Sequence, residues 1–308
     1  MFNAALAREV LAVLQRAGVD GLLLKGPTTS QLLAEPGRTR SYGDVDVLVR
    51  LDDLVAAQEV LRHAGFHSMW EGAALDELSG HAVDLVRGRA QVDLHWRIAG
   101  IRLPPEPAWQ VLWAHRIERS IPGGGTAVSL DDRAALLLIG LHAAADPHQH
   151  PKVMDDLTRA VRLHGIDRWR EAARLAQQLE ASDFLASGLL LVAGGDSVVD
   201  ALDLRRFVST ESVLRSHNPP PLALGIERLV HTQGAWPKVK ILARELVPTP
   251  SGLRYWRPNT GRSKWALALA YLQRPVFLLR SLRPALAAIR RARRTAAASR
   301  GCTSSSPS

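Results

Sequence analysis

The chain has few of the features that mark secreted or membrane proteins. Cys302 is its single cysteine and lies near the C-terminus, so no disulfide framework can form within the 308 residues. No apolar run reaches the ~18 residues that a transmembrane helix requires, since the stretch 134–145 is too short and contains His142. Residues 1–10 lack the basic and apolar regions of a signal peptide. These absences predict a cytoplasmic protein without a transmembrane segment.

Acidic residues are missing from the C-terminal end. No aspartate or glutamate follows Glu245, whereas twelve lysines and arginines do, so the net charge of +9 belongs to this end. The arginine-rich amphipathic stretch 264–289 is compatible with an anionic membrane, with RNA, or with a packed helix whose arginines face water. Pro275 and Pro284 predict that this stretch forms helices broken at both prolines.

Periodicity and composition divide the chain into three parts within an α+β fold. Residues 1–122 combine strand and helix patterns, and the Pro- and Gly-rich segment 121–125 predicts a domain boundary. Residues 128–289 show helical periodicity with no convincing strand. Residues 290–308 are mostly Arg, Ala and Ser and predict a disordered basic tail.

The most informative stretch is residues 22–50, where a strand, a turn with a helix, and a second strand are predicted. Asp44 and Asp46 flank a valine on the second strand, so their side chains point to the same face. Neighbouring carboxylates resist joint ionisation, and a divalent cation such as Mg²⁺ removes that conflict. Lys25 and Gly26 end the first strand, where a backbone and a lysine charge can approach phosphate. Two solvated acids at a strand end are the alternative interpretation.

A hairpin at residues 81–96, turning at 87–89, carries further candidates. Asp93 and His95 share one face of its second arm. If this arm pairs beside the first acidic strand, Asp93 becomes a third carboxylate at the same place. Asp84 in the first arm is the rival third acid. His95 is a candidate ligand or base, and a hydrogen-bonded strand histidine is its alternative role.

Several motifs occur in a fixed order along the first hundred residues. They are LLLKG at 22–26, Arg40 followed by DVDVLV at 44–49, Ala64-Gly65-Phe66 after a helix, and VDLHW at 92–96. This order resembles a bacterial family of nucleotidyltransferases in the DNA polymerase β-like superfamily. The resemblance implies an N-terminal mixed sheet with flanking helices, followed by an all-α C-terminal domain.

The resemblance also implies the chemistry. An NMP group would pass from an NTP, with ATP as the expected donor, to an acceptor hydroxyl or phosphate, and pyrophosphate would leave. Two Mg²⁺ ions would be held by Asp44, Asp46 and Asp93. The acceptor is open, whether a small molecule, a protein or RNA. A toxin-like enzyme that modifies tRNA and a non-catalytic nucleotide-binding protein are the rival functions.

The predicted nucleotide contacts are Lys25 and Gly26, Arg40 from its position in the family pattern, and Thr28, which with Thr29 and Ser30 supplies hydroxyls at the start of the helix. A helix cap is the alternative role for Thr28, and a solvated loop position is the alternative for Arg40. The superfamily's usual Gly-Ser or Gly-Gly pair is Gly26-Pro27 here. Because proline lacks a backbone donor, phosphate binding must depend more on Lys25 and the hydroxyls.

The helical half contributes two further candidates. Family members tend to have a histidine in the first helix and an aspartate before a leucine in the second, and His142 and Asp156 match these positions. They imply a helical domain that closes over the nucleotide site. His142 together with His148 and His150 also suggests a metal site, but these histidines span a helix end and a loop, so satisfied or solvated roles are the alternative.

Overall fold

The computed structural model describes residues 2–36, 43–68, 81–121, 125–146, 150–256 and 263–301. Within these ranges, seven strands form one sheet in the order β3-β4-β5-β2-β1-β7-β6. The strands are β1 Leu22–Leu23, β2 Val45–Leu48, β3 His67–Ser68, β4 Ala82–Arg87, β5 Ala90–His95, β6 Arg116–Ser120 and β7 Thr126–Leu130. The sheet is mixed, because β2 pairs parallel with β5 and antiparallel with β1, while β1 pairs parallel with β7.

Helices precede, interrupt and follow the sheet. Those within the sheet-forming part are α1 Phe2–Arg16, α2 Pro27–Leu32, α3 Leu54–His63 and α4 Pro105–Ala114. Those that follow it are α5 Asp132–Ala145, α6 Pro151–Leu163, α7 Ile166–Gln178, α8 Ser182–Leu189, α9 Gly195–Ala201, a 3-10 turn at Arg205–Phe207, α10 Thr210–Arg215, α11 Pro221–His231, α12 Ala235–Leu246, α13 Pro250–Trp256 and α14 Lys264–Gly301. The predicted fold class, a mixed sheet with flanking helices and a helical C-terminal part, is confirmed.

Different helices cover the two faces of the sheet. On one face, Val45 and Val47 join the core formed with α1 and α3. On the other face, Leu22 and Leu24 pack into the core of helices α5 to α8. Because strand side chains alternate, Asp46 lies on the face that the later helices cover. The fold therefore places the candidate carboxylates between the sheet and the helical half of the chain.

Helices α5 and α8 approach each other closely within that half. A Cβ added at Gly188 would lie 2.2 Å from the carbonyl oxygen of Gly140. Only a glycine fits at this crossing, so α5 is held firmly against the helix behind it. Within the described ranges, none of the helices combines the length and apolar character of a bilayer-spanning segment.

The sheet extends past the boundary predicted at 121–125. That segment connects β6 to β7, and β7 pairs with β1 at the centre of the sheet. Residues 126–130 pair with β6 in a hairpin around the Gly-rich segment, so these glycines form a turn within the sheet and do not mark its end. The last strand of the sheet thus lies beyond the predicted catalytic domain of residues 1–122, and the division into domains stays a prediction.

The C-terminal end differs from the sequence expectation. Helix α14 continues through Pro275 and Pro284, both of which are exposed and leave its packed side uninterrupted. Residues 290–301, predicted to be disordered, continue this helix. Burial of Ala292 and Ala296 explains why, since small side chains at helical spacing let the helix pack against the preceding helices. Residues 302–308 lie outside the described part of the chain.

Candidate active site

The parallel pairing of β2 with β5 brings two carboxylates side by side. Asp46 is directly opposite Asp93 in the register, and Leu48 is opposite His95. Asp46 and Asp93 therefore share the face toward the helices, and His95 follows two residues after Asp93 on that face. Among the described residues, one ligand atom from each of Asp46, Asp93 and His95 lies within 4.8 Å of the other two. The spacing suits a cation bound jointly by these groups.

Lys25 and His95 both contact the same oxygen of Asp46. The Lys25 ammonium donates to Asp46 Oδ1 at 2.9 Å, and His95 Nε2 donates to that oxygen at 3.1 Å. Asp46 is 4% exposed, so this network is shielded from solvent. The lysine ammonium thus neutralises a carboxylate that belongs to the candidate cation site.

The charges of this network shift its pKa values. Burial by itself would raise the pKa of the Asp46 carboxyl, but the charge of Lys25 and the hydrogen bond from His95 outweigh burial and lower it. Burial would lower the pKa of Lys25, and the charge of Asp46 reverses this, so the lysine pKa is raised. The pair is therefore ionised throughout the physiological pH range.

Asp93 has the opposite behaviour. Its pKa is raised to about 6, chiefly by burial and then by the charges of Asp46 and Asp84. Asp84 contributes because it is directly opposite Asp93 across the antiparallel pair of β4 and β5. Asp44, half-buried just before β2, adds a smaller repulsion. Asp93 thus carries a charge that a bound cation would stabilise.

A cleft opens beside these groups, between the sheet and the helices that follow it. The larger cavity has a volume of about 210 Å³. Its lining residues are Leu24, Lys25, His81, His95, Ile98, Ala99, Leu138, His142, Ala145 and Asp146. A smaller cavity next to it is lined by Lys25, Thr29, Leu138, Ile139, His142, Val153 and Asp156. Lys25 and His142 border both cavities, so the lysine that is bonded to Asp46 faces the helical wall across one cleft.

Comparison with known proteins decides the family. A model of the family described as uncharacterised nucleotidyltransferase matches residues 2–194. The chain belongs to this nucleotidyltransferase family. No curated protein matches the sequence. Among solved structures, the antibiotic-resistance factor ANT(2'')-Ia, studied in solution, is similar with a TM-score of 0.41 and 14% identity, over 58% of this chain and 94% of that chain.

The turn after β1 has a backbone conformation that favours glycine. Gly26 has φ 68°, which glycine adopts without strain, and it precedes Pro27 at the start of α2. Thr28 does not face the cleft: it is fully buried, and its hydroxyl shares a short hydrogen bond with Ser129 of β7. Thr29, the next residue, lines the cleft instead. The turn therefore presents Lys25 and Thr29, while Thr28 fastens α2 to the sheet.

The remaining sequence candidates have different outcomes. His142 on α5 and Asp156 on α6 both line the cleft beside Lys25, although they are distant from it in sequence. Arg40 and His148 lie outside the described residues. His150 caps the start of α6, where its Nδ1 accepts from the backbone of Lys152 at 3.3 Å. Helix capping is thus the contact that the structure gives to His150.

Sequence reasoning missed three features that shape the site. His81 lines the cleft, with its ring 5.7 Å from that of His95. His95 Nδ1 is buried without a hydrogen-bond partner among the described residues, so this ring nitrogen has an unused capacity for one hydrogen bond. Ion pairs from Arg159 and Arg162 of α6 to Glu35 tie that helix to the chain just after α2, with distances of 3.0 and 2.6 Å. The ion pairs join segments more than a hundred residues apart, so no local sequence pattern indicates them.

Proposed function

We propose that this nucleotidyltransferase transfers an NMP group from an NTP, with ATP as the expected donor, to an acceptor hydroxyl or phosphate, releasing pyrophosphate. The observation that carries the proposal is the cluster of Asp46, Asp93 and His95, with Lys25 bonded to Asp46 and bordering the cleft. Family membership supports a transferase role. A cytoplasmic location is part of the proposal, because NTP donors are found there.

The donor set fits divalent cations. Asp46 and Asp93 offer hard oxygen ligands that lie side by side. Asp44 is two residues before Asp46, so strand alternation places both on the same face of the sheet. The raised pKa of Asp93 shows a carboxylate whose charge is not yet compensated. These three residues would hold Mg²⁺, with two ions expected from the superfamily pattern. When bound, such ions neutralise phosphate charge and lower the pKa of an acceptor hydroxyl.

The chain's own residues would bind and orient the donor. Lys25 is half-buried and borders the cleft, so its ammonium can turn from Asp46 to a triphosphate oxygen once other positive charge reaches the carboxylates. His95 acts as a positioning residue, because its Nε2 hydrogen bond fixes the orientation of the Asp46 carboxylate. His142 and Asp156 form the opposite wall, where they would orient the rest of the donor or the acceptor. Positioning and charge neutralisation carry this type of reaction.

The direct test is incubation of the purified protein with each of the four NTPs, labelled at the α-phosphorus, in the presence of Mg²⁺ and cell extract. We expect the label to enter a new product in a reaction that depends on protein and metal. Calorimetric titration with ATP and Mg²⁺ separates an enzyme from a protein that only binds nucleotide. Binding without label transfer would favour the non-catalytic alternative. The absence of both binding and transfer would refute the proposal.

The pKa of Asp93 predicts how metal affinity depends on pH. A cation must displace the proton from this carboxyl, so affinity should be constant above pH 7 and fall as the pH drops through about 6. Below about pH 6 the dissociation constant should rise roughly tenfold per pH unit. Calorimetry with Mn²⁺ alone, over a range of pH, measures the metal affinity. Nucleotide is left out because its triphosphate would itself titrate in this range. An affinity that stays constant down to pH 5 would exclude Asp93 as a ligand.

A further inference from the structure

Helix α14 exposes a long apolar stripe to solvent. Its members recur every three or four residues, which places them on one side of the helix. They are Trp265 (87% exposed), Leu269 (54%), Leu272 (76%), Val276 (49%) and Leu279 (72%). The opposite side of the same helix, with Ala270, Ala285 and Ile289, is buried. Such a stripe is unusual on the surface of a soluble domain and indicates an interaction surface.

The stripe is bordered and extended by positive charge alone. The exposed basic residues of the helix include Lys264, Arg280, Arg283, Arg290, Arg293 and Arg294. No acidic residue follows Glu245 in the sequence. Pairing of two copies through this stripe would therefore bring like charges together with no acid to offset them. The charge pattern favours an anionic occupant over a second copy of the chain.

Helix α12 adds a second exposed set of the same character. Its exposed apolar residues are Trp236 (78%), Val239 (53%), Leu242 (48%) and Leu246 (51%), interspersed with exposed Lys238, Lys240 and Arg244. The last turn of α12 and the segment that follows it are tied to the middle of α14. Arg274 Nε donates to the carbonyl of Glu245 at 2.8 Å, and the Tyr271 hydroxyl donates to that of Pro248 at 2.6 Å. The two helices, with these exposed residues, are called the C-terminal face below.

We propose that the C-terminal face docks on the surface of an anionic lipid bilayer. Leucine, valine and tryptophan side chains would enter the boundary between headgroups and acyl chains, while arginines and lysines pair with lipid phosphates. The exposed apolar residues are mainly aliphatic, and aliphatic side chains gain little from RNA, where aromatic stacking and phosphate contacts carry binding. A bilayer satisfies both the apolar and the basic parts of this surface at once.

This docking does not depend on the proposed enzymatic function, since the residues that line the cleft lie on other elements. The full-length protein is mixed with vesicles of phosphatidylcholine containing phosphatidylglycerol, or with vesicles of phosphatidylcholine alone, and binding is measured by co-sedimentation. We expect binding to the anionic vesicles, weaker binding to the neutral ones, and a decrease when NaCl is raised from about 0.1 to about 0.5 M.

Substitutions at fully accessible positions test the apolar part without disturbing the core. The double variant Leu272→Gln with Leu279→Gln should weaken vesicle binding by about tenfold or more, because each leucine contributes apolar area only when it is inserted. Val55→Gln is the matched control, since Val55 on α3 is 65% exposed and lies apart from this face. The control should bind vesicles like the unaltered protein, and both variants should keep its melting temperature.

Several results would overturn the proposal. One is equal binding to anionic and neutral vesicles, or binding to neither. Another is unchanged binding by the double leucine variant. The third is tight association with an RNA such as tRNA, in the absence of vesicle binding, which would assign the basic residues to nucleic acid. Sedimentation equilibrium detects self-association, and a dimer that the leucine substitutions abolish, without vesicle binding, would assign the stripe to a second copy.

Discussion

Replacing Asp46 with asparagine is expected to lower nucleotidyl transfer by about a thousandfold or more while the protein stays folded. Asp46 is the carboxylate on which Lys25 and His95 converge, and it lies opposite Asp93 in the sheet. Asparagine keeps the size of the side chain and one acceptor oxygen but removes the negative charge that cations require. Metal affinity and transfer should therefore fall together.

The same substitution carries a smaller cost in stability. Lys25 loses its charged partner, and because its side chain is 24% exposed, water replaces only part of that interaction. We expect the free energy of unfolding to fall by about 1 to 3 kcal/mol, measured by denaturant titration without metal. Activity is measured as transfer of label from α-labelled ATP in the presence of Mg²⁺ and extract. Nucleotide and metal binding are measured by calorimetry on the same samples.

Asp52→Asn is the matched control. Asp52 follows β2 by a few residues and its side chain is 80% exposed, so it has the same chemistry without a place in the cleft. The control should retain activity and stability close to those of the unaltered protein. Retention of more than about a tenth of the activity by Asp46→Asn would contradict the proposed role of Asp46, since charge neutralisation at phosphate is worth far more than that.

Much of this site could be predicted from local patterns. The alternation of strand side chains puts Asp93 and His95 on one face of β5 from sequence alone, and Asp46 on one face of β2. What alternation leaves open is which strands are neighbours and in what register. Here Asp46 meets Asp93 because β2 and β5 pair in parallel without an offset. The order of the motifs indicated that pairing through the family resemblance, and the structure shows it directly.

Contacts between distant segments were beyond local reasoning. The sequence predicts a cap or a phosphate contact for the hydroxyl of Thr28, whereas its bond to Ser129 depends on β7 lying beside β1. That strand lies beyond the domain boundary that the sequence predicts. Its placement removes Thr28 from the cleft and leaves Thr29 there. Although β7 also forms a local hairpin with β6, its pairing with β1, more than a hundred residues away, has no signal within its own five residues.

In the C-terminal helix, local rules predict breaks and disorder that the structure does not have. Two prolines and a run of arginines predict breaks and disorder, yet the residues 264–301 form one helix. Tertiary packing decides the outcome: Ala285, Ile289 and Ala292 fit against the preceding helices, and Arg300 donates to the carbonyl of Val208 at 2.7 Å. Propensity is a weak guide where small residues recur at helical spacing and a packing surface is available.

Asp93→Asn should abolish transfer and at the same time stabilise the metal-free protein. Burial and the charges of Asp46 and Asp84 raise the pKa of Asp93 to about 6, well above its ordinary value of 3.8. Between these two values the folded protein binds more protons than the unfolded chain, so stability falls as the pH rises from about 4 to about 6. At pH 7 the ionised carboxylate therefore costs on the order of 2 to 3 kcal/mol, which asparagine removes.

Activity and stability thus move in opposite directions, which a purely structural role for Asp93 would not produce. The free energy of unfolding is measured with a chelator present at pH 7 and again at pH 4, where the difference between Asp93→Asn and the unaltered protein should shrink. Asp84→Asn is the matched comparison, since Asp84 is directly opposite Asp93 on the neighbouring strand but is not among the three groups within 4.8 Å of one another. It should lower the pKa of Asp93 and change transfer by less than about tenfold. If Asp84→Asn abolishes transfer and Asp93→Asn does not, then Asp84 is the third carboxylate and the assignment of Asp93 is wrong.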